Sequence, residues 1–456
     1  RIRVFFYFVF CCWAQAGPGS SGNEPPTILL KNITNIGISI LINLLLVPLT
    51  ISYLNPENYG VWLTLSSIIG WFNIFDLGLG NGLRNKFAEA QAIGDIGLAK
   101  KYVSTTYTLI TIIATLLVIV FSLIAYFLNW NSMLNTSIDS NELTLLVFVV
   151  FGVFCFQFVA KLINTILVAD QRPALSTMIN TIASLISLII VYILLQHTKS
   201  SIFYLGTSLS LANLVVPLVA TFFFFGTIYK KFRPSIKLID FSYTKDLMSL
   251  GTKFFIMQGA AMIVFMTDNF IIAQISGPEE VTVYNVAHKY FGVIMVFFTI
   301  ITTPLWSAST DAFVQNDLSW IKRAFKRIFV IWLLFCVLGT GMLIVSNDVY
   351  SLWLGKAVQV PFTLSLTMAC YVLMASCVII FATFLSGIGK IKLSIYHSVL
   401  VSIINIPLSI YFAKNLEFGS TGVIMATCVG VVISLLFQPI QFFKIINGTA
   451  KSLWNQ

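Results

Sequence analysis

The chain reads as long apolar stretches separated by short polar connections. Runs able to cross a bilayer need about 20 predominantly apolar residues. They fall near 33–53, 59–82, 103–128, 143–169, 174–196, 202–228, 248–275, 281–307, 328–351, 361–385, 393–413 and 420–443. These lengths predict helices, not the ~10-residue alternating strands of a membrane barrel. The pattern therefore predicts an all-α integral membrane protein of about twelve transmembrane helices, six in each half.

The connections are too short for a soluble domain. The longest on one side, about 129–142, holds Asn, Ser, Thr, Asp and Glu but no Lys or Arg. The longest on the other, about 229–248, joins the halves. Its Lys230-Lys231-Phe232-Arg233-Pro234 run is followed by Ile236, Leu238, Ile239 and Phe241. That order suits an amphipathic segment on an anionic leaflet, and it equally serves as a topology signal.

The halves repeat one design. Tyr53-Leu-Asn-Pro-Glu-Asn-Tyr-Gly-Val-Trp62 and Ile275-Ser-Gly-Pro-Glu-Glu-Val-Thr-Val-Tyr284 align through Pro56 and Pro278, an offset of 222. The same offset places Lys31 on Lys253, Glu89 on Asp311, Asp95 on Asp317 and Lys100-Lys101 on Lys322-Arg323. After span 2 and after span 8, the connections read as short helices along the membrane surface. Gly94-Asp95 and Asn316-Asp317 then break or cap the chain before the next helix. Internal repetition in an apolar chain is the usual mark of a transporter with its site between the repeats.

Composition agrees with the pattern. Apolar residues make up 58% of the chain, charged residues 10%, and the mean hydropathy is +0.91, where a soluble protein has roughly 25% charged. The net charge of +10 gives no indication of nucleic acid as a partner, because its distribution follows topology. Lys and Arg gather in every second connection, such as Lys86, Lys100 and Lys101, then Lys230–Lys245, then Lys322–Arg327. The alternate connections hold only Lys199, Lys356 and Lys414. This asymmetry predicts an inner-membrane protein with both termini in the cytoplasm. The domains expected are a non-native or disordered segment over 1–26, a six-helix lobe over 27–229, a cytoplasmic linker over 230–247, and a second lobe with a tail over 248–456. The seven cysteines show no ligand spacing, so neither a disulfide framework, a metal nor a cofactor is expected.

Charges inside spans are costly and usually functional or paired. Asp76 in span 2 and Lys161 in span 4 are placed at similar depth by counting from the nearest turns. Asp268 in span 7 and Lys289 in span 8 are symmetric about the turn at Pro278. Each couple is either a structural ion pair or the lining of a wet cavity, and the two readings are compatible. In the cavity reading, Lys161, Lys253, Lys289, Asp76 and Asn73 bind substrate. Asp268, with Asn269 beside it, couples transport to an ion. His288 reads as a polar side chain beside Lys289. Gly78-Leu-Gly80-Asn-Gly82 lacks the Lys-Ser/Thr of a phosphate loop and follows no strand, so it reads as a flexible or closely packed helix end. Pro48, Pro217, Pro304, Pro407 and Pro439 should kink their helices. No HExxH, GxSxG or paired surface carboxylates suggest an enzyme.

The run Tyr53–Trp62, then Phe75-Asp-Leu-Gly-Leu-Gly-Asn-Gly-Leu-Arg-Asn-Lys86, Gly94-Asp95 and Ala99–Thr106 resembles the bacterial polysaccharide transporter family, which includes the O-antigen (Wzx-type) flippases. Thr267-Asp-Asn-Phe-Ile-Ile-Ala and Gly277–Lys289 in the second half are also similar to it. The resemblance spans about residues 28–446. It implies the multidrug/oligosaccharidyl-lipid/polysaccharide exporter fold, with two six-helix lobes around a central cavity. It also implies flipping of an undecaprenyl-diphosphate-linked oligosaccharide by alternating access, with ion-gradient coupling and polysaccharide assembly proteins as further partners. Lys161, Lys253 and Lys289 would then meet the diphosphate. Three alternatives stand beside this reading: a multidrug cation antiporter of the same superfamily, a polysaccharide polymerase, and a flippase for another lipid-linked product. The three intramembrane Lys against two Asp disfavour a cation substrate. The short, Lys- and Arg-poor connections disfavour a polymerase, which needs a basic outer loop to grip pyrophosphate.

Overall fold

The computed structural model describes residues 26–456, apart from Leu77, Ile391, Gln456 and the side chains of residues 26–33, 249–258, 260–265, 304 and 307. The segment assigned above to residues 1–26 lies outside them, save the backbone of Pro26.

The predicted spans fall on helices, and spans 2, 4 and 9 are each divided between two of them. The first half contains α1 (Pro26–Leu54), α2 (Pro56–Gly70), α3 (Leu79–Ala92), α4 (Ile96–Ala125), the short α5 (Trp130–Leu134), α6 (Ser140–Ala160), α7 (Leu162–Ala169), α8 (Pro173–His197) and α9 (Ile202–Gly226). The second contains α10 (Thr244–Ser276), α11 (Pro278–Val314), α12 (Leu318–Ile344), α13 (Ser346–Leu354), α14 (Phe362–Gly387), α15 (Lys392–Ile410) and α16 (Gly419–Ile446). Ten helical segments among the described residues are long and apolar enough to cross a membrane. The bent pair formed by α2 and α3 makes an eleventh. The 33-residue α10 occupies the predicted seventh span. The protein is a multi-pass membrane protein.

The repeat is visible in backbone geometry. Asn55 precedes Pro56 at φ 81, ψ 164, and Gly277 precedes Pro278 at φ 92, ψ 164. Both turns use a left-handed residue followed by a proline whose fixed φ suits the first helical position. Asp95 accepts the Leu98 N–H at 2.8 Å, and Asp317 accepts the Trp320 N–H at 2.9 Å, so each caps the next helix. Gly94 and Asn316 just before them have φ 76 and φ 56. Helix partners repeat as well: α1 packs on α8 as α10 packs on α15, and α6 packs on α9 as α14 packs on α16.

Three sequence expectations are corrected. The connections after spans 2 and 8 are not separate surface helices. α3 runs on to Ala92 and α11 to Val314, because neither Lys86–Ala92 nor Thr310–Val314 contains a residue that stops a helix. The loop at 129–142 contains a helical turn, α5, capped by Asn129, which accepts the Ser132 N–H. Span 7 begins at Thr244, four residues early. Pro48, Pro217, Pro407 and Pro439 do lie inside helices, and a π-turn over Tyr411–Asn415 follows Pro407.

Candidate functional site

Span 2 is broken near the middle of its helical pair. Trp71–Asp76 tightens into a 3-10 turn, Gly78 takes a left-handed φ of 73, and the two arms meet at 43°. The Asp76 carboxylate bridges the break, accepting the Gly80 N–H at 3.2 and 3.4 Å. It thus serves a free amide at the start of α3. Gly82, at the level where α10 begins, faces the Leu247 carbonyl with no room for a Cβ. The glycine run is therefore a helix end and a close packing surface, as its spacing suggested.

Asp76 and Lys161 form no ion pair. Lys161 sits at the break between α6 and α7, is exposed, and has no carboxylate within ion-pair range among the described residues. Counting residues from the turns placed the two at similar depth. It could not foresee the 3-10 turn, which changes Asp76's rotation and gives it a backbone partner. Asn73 on the same turn is exposed, and its amide donates to the Gly70 carbonyl at 2.8 Å. Phe72 and Phe75 stack beside it at 5.9 Å.

Asp268 and Lys289 are likewise parted. Asp268 is 2% exposed, and its Oδ2 accepts the Tyr284 hydroxyl at 2.8 Å. Its Oδ1 has no partner among the described residues. Tyr371 on α14 stands within electrostatic reach of both Asp268 and Cys428 of α16, so the carboxylate lies inside the second half. The helix that carries it packs against α15 and α16. Two further buried oxygens on α15, Asn405 Oδ1 and Ser409 Oγ, are also unpartnered, and the Asn405 amide donates to Thr427 Oγ1 at 3.2 Å. A buried carboxylate that has no cation beside it among the described residues is costly to keep charged. This arrangement can take up a proton or a small cation. His288 stacks parallel to Tyr284 at 6.4 Å.

Asn269, 8% exposed, turns the other way. Its amide donates to Ser67 Oγ of α2 at 2.7 Å, and its Oδ1 accepts from Asn285 at 2.8 Å. The residue beside the carboxylate thereby links α10 and α11 to the first half. The side chain of Lys253, on α10, lies outside the described residues. Lys289 donates to the Tyr59 hydroxyl of α2 at 3.0 Å.

More bonds join the halves at the face opposite the basic connections. Thr282 Oγ1 donates to the Pro56 carbonyl at 2.6 Å, and Gly60 meets the Pro278 carbonyl with no room for a Cβ. Gly60 and Thr282 are equivalent under the 222-residue repeat, so the two proline turns contact each other reciprocally. Asn135 donates to the Ala273 carbonyl at 2.9 Å, and Gln274 to the carbonyls of Ser132 and Met133 at 3.1 and 2.9 Å. Sequence reasoning missed Tyr59, Tyr284, Asn135, Gln274 and Ser409. Neutral polar residues at span ends or on apolar helices carry no signal of which neighbour they meet.

On the basic face, Asp170 gathers Gln91 (3.1 Å), Tyr229 (2.6 Å) and Arg172 (3.0 Å). Burial, with the bond to Asp170, holds the Tyr229 hydroxyl protonated beyond its ordinary range.

Comparison with known proteins agrees with this geometry. The chain is 25% identical over 319 residues to a "Putative O-antigen transporter" of Salmonella typhi, covering 68% of this chain and 71% of that protein. It is 23% identical over 370 residues to a "Putative O-antigen export protein" of Yersinia pseudotuberculosis, covering 78% and 81%. Among solved structures, the inward-facing form of a multidrug resistance MATE family transporter of the MOP superfamily matches with TM-score 0.74 at 15% identity, over 92% of this chain and 100% of that one. An outward-facing form matches with TM-score 0.67 at 14% identity, over 93% and 96%. The fold is that of these transporters. A family model described as polysaccharide biosynthesis protein matches residues 29–308, more than half of the chain, and the protein belongs to that family.

Proposed function

We propose that this protein carries a lipid-linked oligosaccharide, an O-antigen repeat unit or similar, across the bacterial inner membrane by alternating access. The basic face is the cytoplasmic one, and the lobes of residues 27–229 and 248–456 are the moving bodies, joined by the linker 230–247. The observation that carries the reading is the set of side-chain bonds fastening the two halves at the opposite face, around Pro56 and Pro278. Each is polar and can be exchanged for water as the face opens, beside the apolar packing of Val47 and Ile51 against the second half.

Lys161 supplies an uncompensated cation on the first lobe, suited to a diphosphate. Lys289 is held at the gate by Tyr59 and becomes available as the gate opens. Lys253 shares its helix with Asp268, and Asn73 and Asp76 line the break in span 2. Asp268 is the coupling group, with Asn269 connecting its helix to the gate. Uptake of a proton or cation at Asp268 removes the cost of its buried charge and so alters the packing of α10 against α2. Binding energy can shift an equilibrium only through such differential interaction.

The test is deletion of the gene in its host, with assay of surface polysaccharide and leaflet-specific labelling of undecaprenyl-linked oligosaccharides. Loss of the surface polymer, with complete oligosaccharide–lipid held on the cytoplasmic side, is expected. Normal polymer with raised sensitivity to cationic drugs would assign the protein to drug export. Single repeat units outside the cell that are not polymerised would assign it to polymerisation.

A further inference from the structure

The segment joining the halves is neither a loose tether nor a continuous amphipathic helix. It folds as three 3-10 turns, over Lys230–Phe232, Ile236–Leu238 and Phe241–Tyr243. It is pinned flat against the first half. Phe232 is buried against Phe87 with ring centroids 5.0 Å apart. The Ser235 N–H donates to Ser104 Oγ at 3.0 Å, and the Asp240 N–H to Thr105 Oγ1 at 3.1 Å. Tyr243 packs edge-on to Tyr102 at 5.1 Å.

The anchor points fix its depth. α4 has 30 residues, about 45 Å, whereas a hydrocarbon core of about 30 Å needs about 20 residues. At its far end, the exposed Tyr126 and Phe127 mark an aromatic belt. Its exposed apolar side chains run back through Leu123, Ile119, Leu116 and Ile112. Counting 20 residues back from Ala125 ends near Thr106, so Ser104 and Thr105 lie where hydrocarbon gives way to headgroups.

At this depth the segment turns its apolar side chains outward. Ile236 is 88% exposed and Phe241 56%. Around them Lys230, Lys231, Arg233 and Lys237 are exposed too. In water this would be an unexplained pairing of bare apolar groups with like charges. At a bilayer interface it is complementary, with apolar tips in the acyl boundary and cations at the phosphates.

We infer that the turns at Lys230–Phe241 form a binding site for the headgroups of anionic phospholipids in the leaflet that meets the basic face, with Ile236 inserted among the upper acyl carbons. The occupant is bulk anionic lipid, distinct from the transported molecule. The site ties the segment between the lobes to the membrane surface.

The test uses the full chain in nanodiscs of equal phosphatidylglycerol and phosphatidylcholine, with p-benzoylphenylalanine at position 236 and, as a control, at lipid-facing position 116. Adducts are identified by mass spectrometry. At position 236 the ratio of phosphatidylglycerol to phosphatidylcholine adducts should rise from about one to about five, the factor for about 1 kcal/mol from one basic side chain. At position 116 adducts should follow bilayer composition. Lys230→Gln, Lys231→Gln, Arg233→Gln and Lys237→Gln together should abolish the enrichment while the adducts at 116 persist. Adducts at 236 in bilayer proportion would overturn the inference, as would lipid adducts at 116 with none at 236. Loss of enrichment in inorganic phosphate but not in sodium chloride of equal ionic strength would assign the cluster to a soluble anion instead.

Discussion

Lys289 of α11 donates to the Tyr59 hydroxyl of α2 at 3.0 Å, its ammonium 5.7 Å from that ring's centroid. The ammonium therefore lies beyond the hydroxyl, close to the ring's long axis, and one side chain joins the two repeats through the tyrosine oxygen. A hydrogen bond to a charged group contributes about 1.5–3 kcal/mol. Tyr59→Phe removes only the hydroxyl. It should raise the population opened at that face about tenfold or more, read as a longer component in the distances between spin labels at Ser137 and Lys356. An unchanged distribution would show that the bond does not contribute to gating.

Gly60 offers an independent probe of the same gate. A Cβ there overlaps the Pro278 carbonyl, and backbone cannot yield as a flexible side chain can. Overpacking of this kind costs about 1–3 kcal/mol, and the cost vanishes once the proline turns separate. Gly60→Ala should favour the same opened population, and joined with Tyr59→Phe should push it further. If Gly60→Ala instead lowers the melting temperature and leaves the label distances unchanged, the contact holds the fold together and is not part of a gate.

Much of the architecture was legible in the sequence because helices in lipid must satisfy their own backbone, so hydropathy alone locates them. The repeat was legible because Pro56 and Pro278 and the capping Asp95 and Asp317 are constrained by backbone geometry. The contacts between helices were not legible. Equal counting from a turn placed Asp268 level with Lys289, yet Asp268 bonds Tyr284 and Lys289 bonds Tyr59. Helix rotation, which a count does not contain, decides between them. The break in span 2 hid for a similar reason: its glycines announce a helix end, but only the fold shows that Asp76 closes it.

The paired caps yield a stability prediction. Asp95→Ala and Asp317→Ala each remove the acceptor for one amide of a helix's first turn, at a cost of about 1 kcal/mol. The two sites lie in different halves with no shared partner, so their effects should add. Thermal unfolding in detergent tests this. A loss in the double variant well above the sum would mean that the two repeats are coupled through these turns.

Asp268 is the sharpest test of energy coupling. Asp268→Asn keeps its size and a hydrogen bond to Tyr284 but removes the ionisable group. Gradient-driven transport should fall while membrane insertion and thermal stability are retained or improved, because a costly buried carboxyl is gone. Tyr284→Phe strips the carboxylate's bond to that hydroxyl and should impair transport less. Full transport by Asp268→Asn under a physiological gradient would exclude this carboxylate as the coupling group.

Lys161 separates substrate recognition from gating. It is exposed at the α6–α7 break and has no counter-ion among the described residues, so its charge stabilises nothing in the resting protein. Removing it should leave folding unchanged, which distinguishes it from Lys289. A diphosphate gains most from a cation held in a low-dielectric cleft, and either Lys or Arg supplies one. Lys161→Ala should therefore lower transport of a lipid-linked oligosaccharide, and Lys161→Arg should retain most of it, with equal amounts of each variant in the membrane. Equal loss in both would show that side-chain shape governs the position. Equal retention would remove Lys161 from the transport path and leave the cations at 253 and 289 to meet the diphosphate.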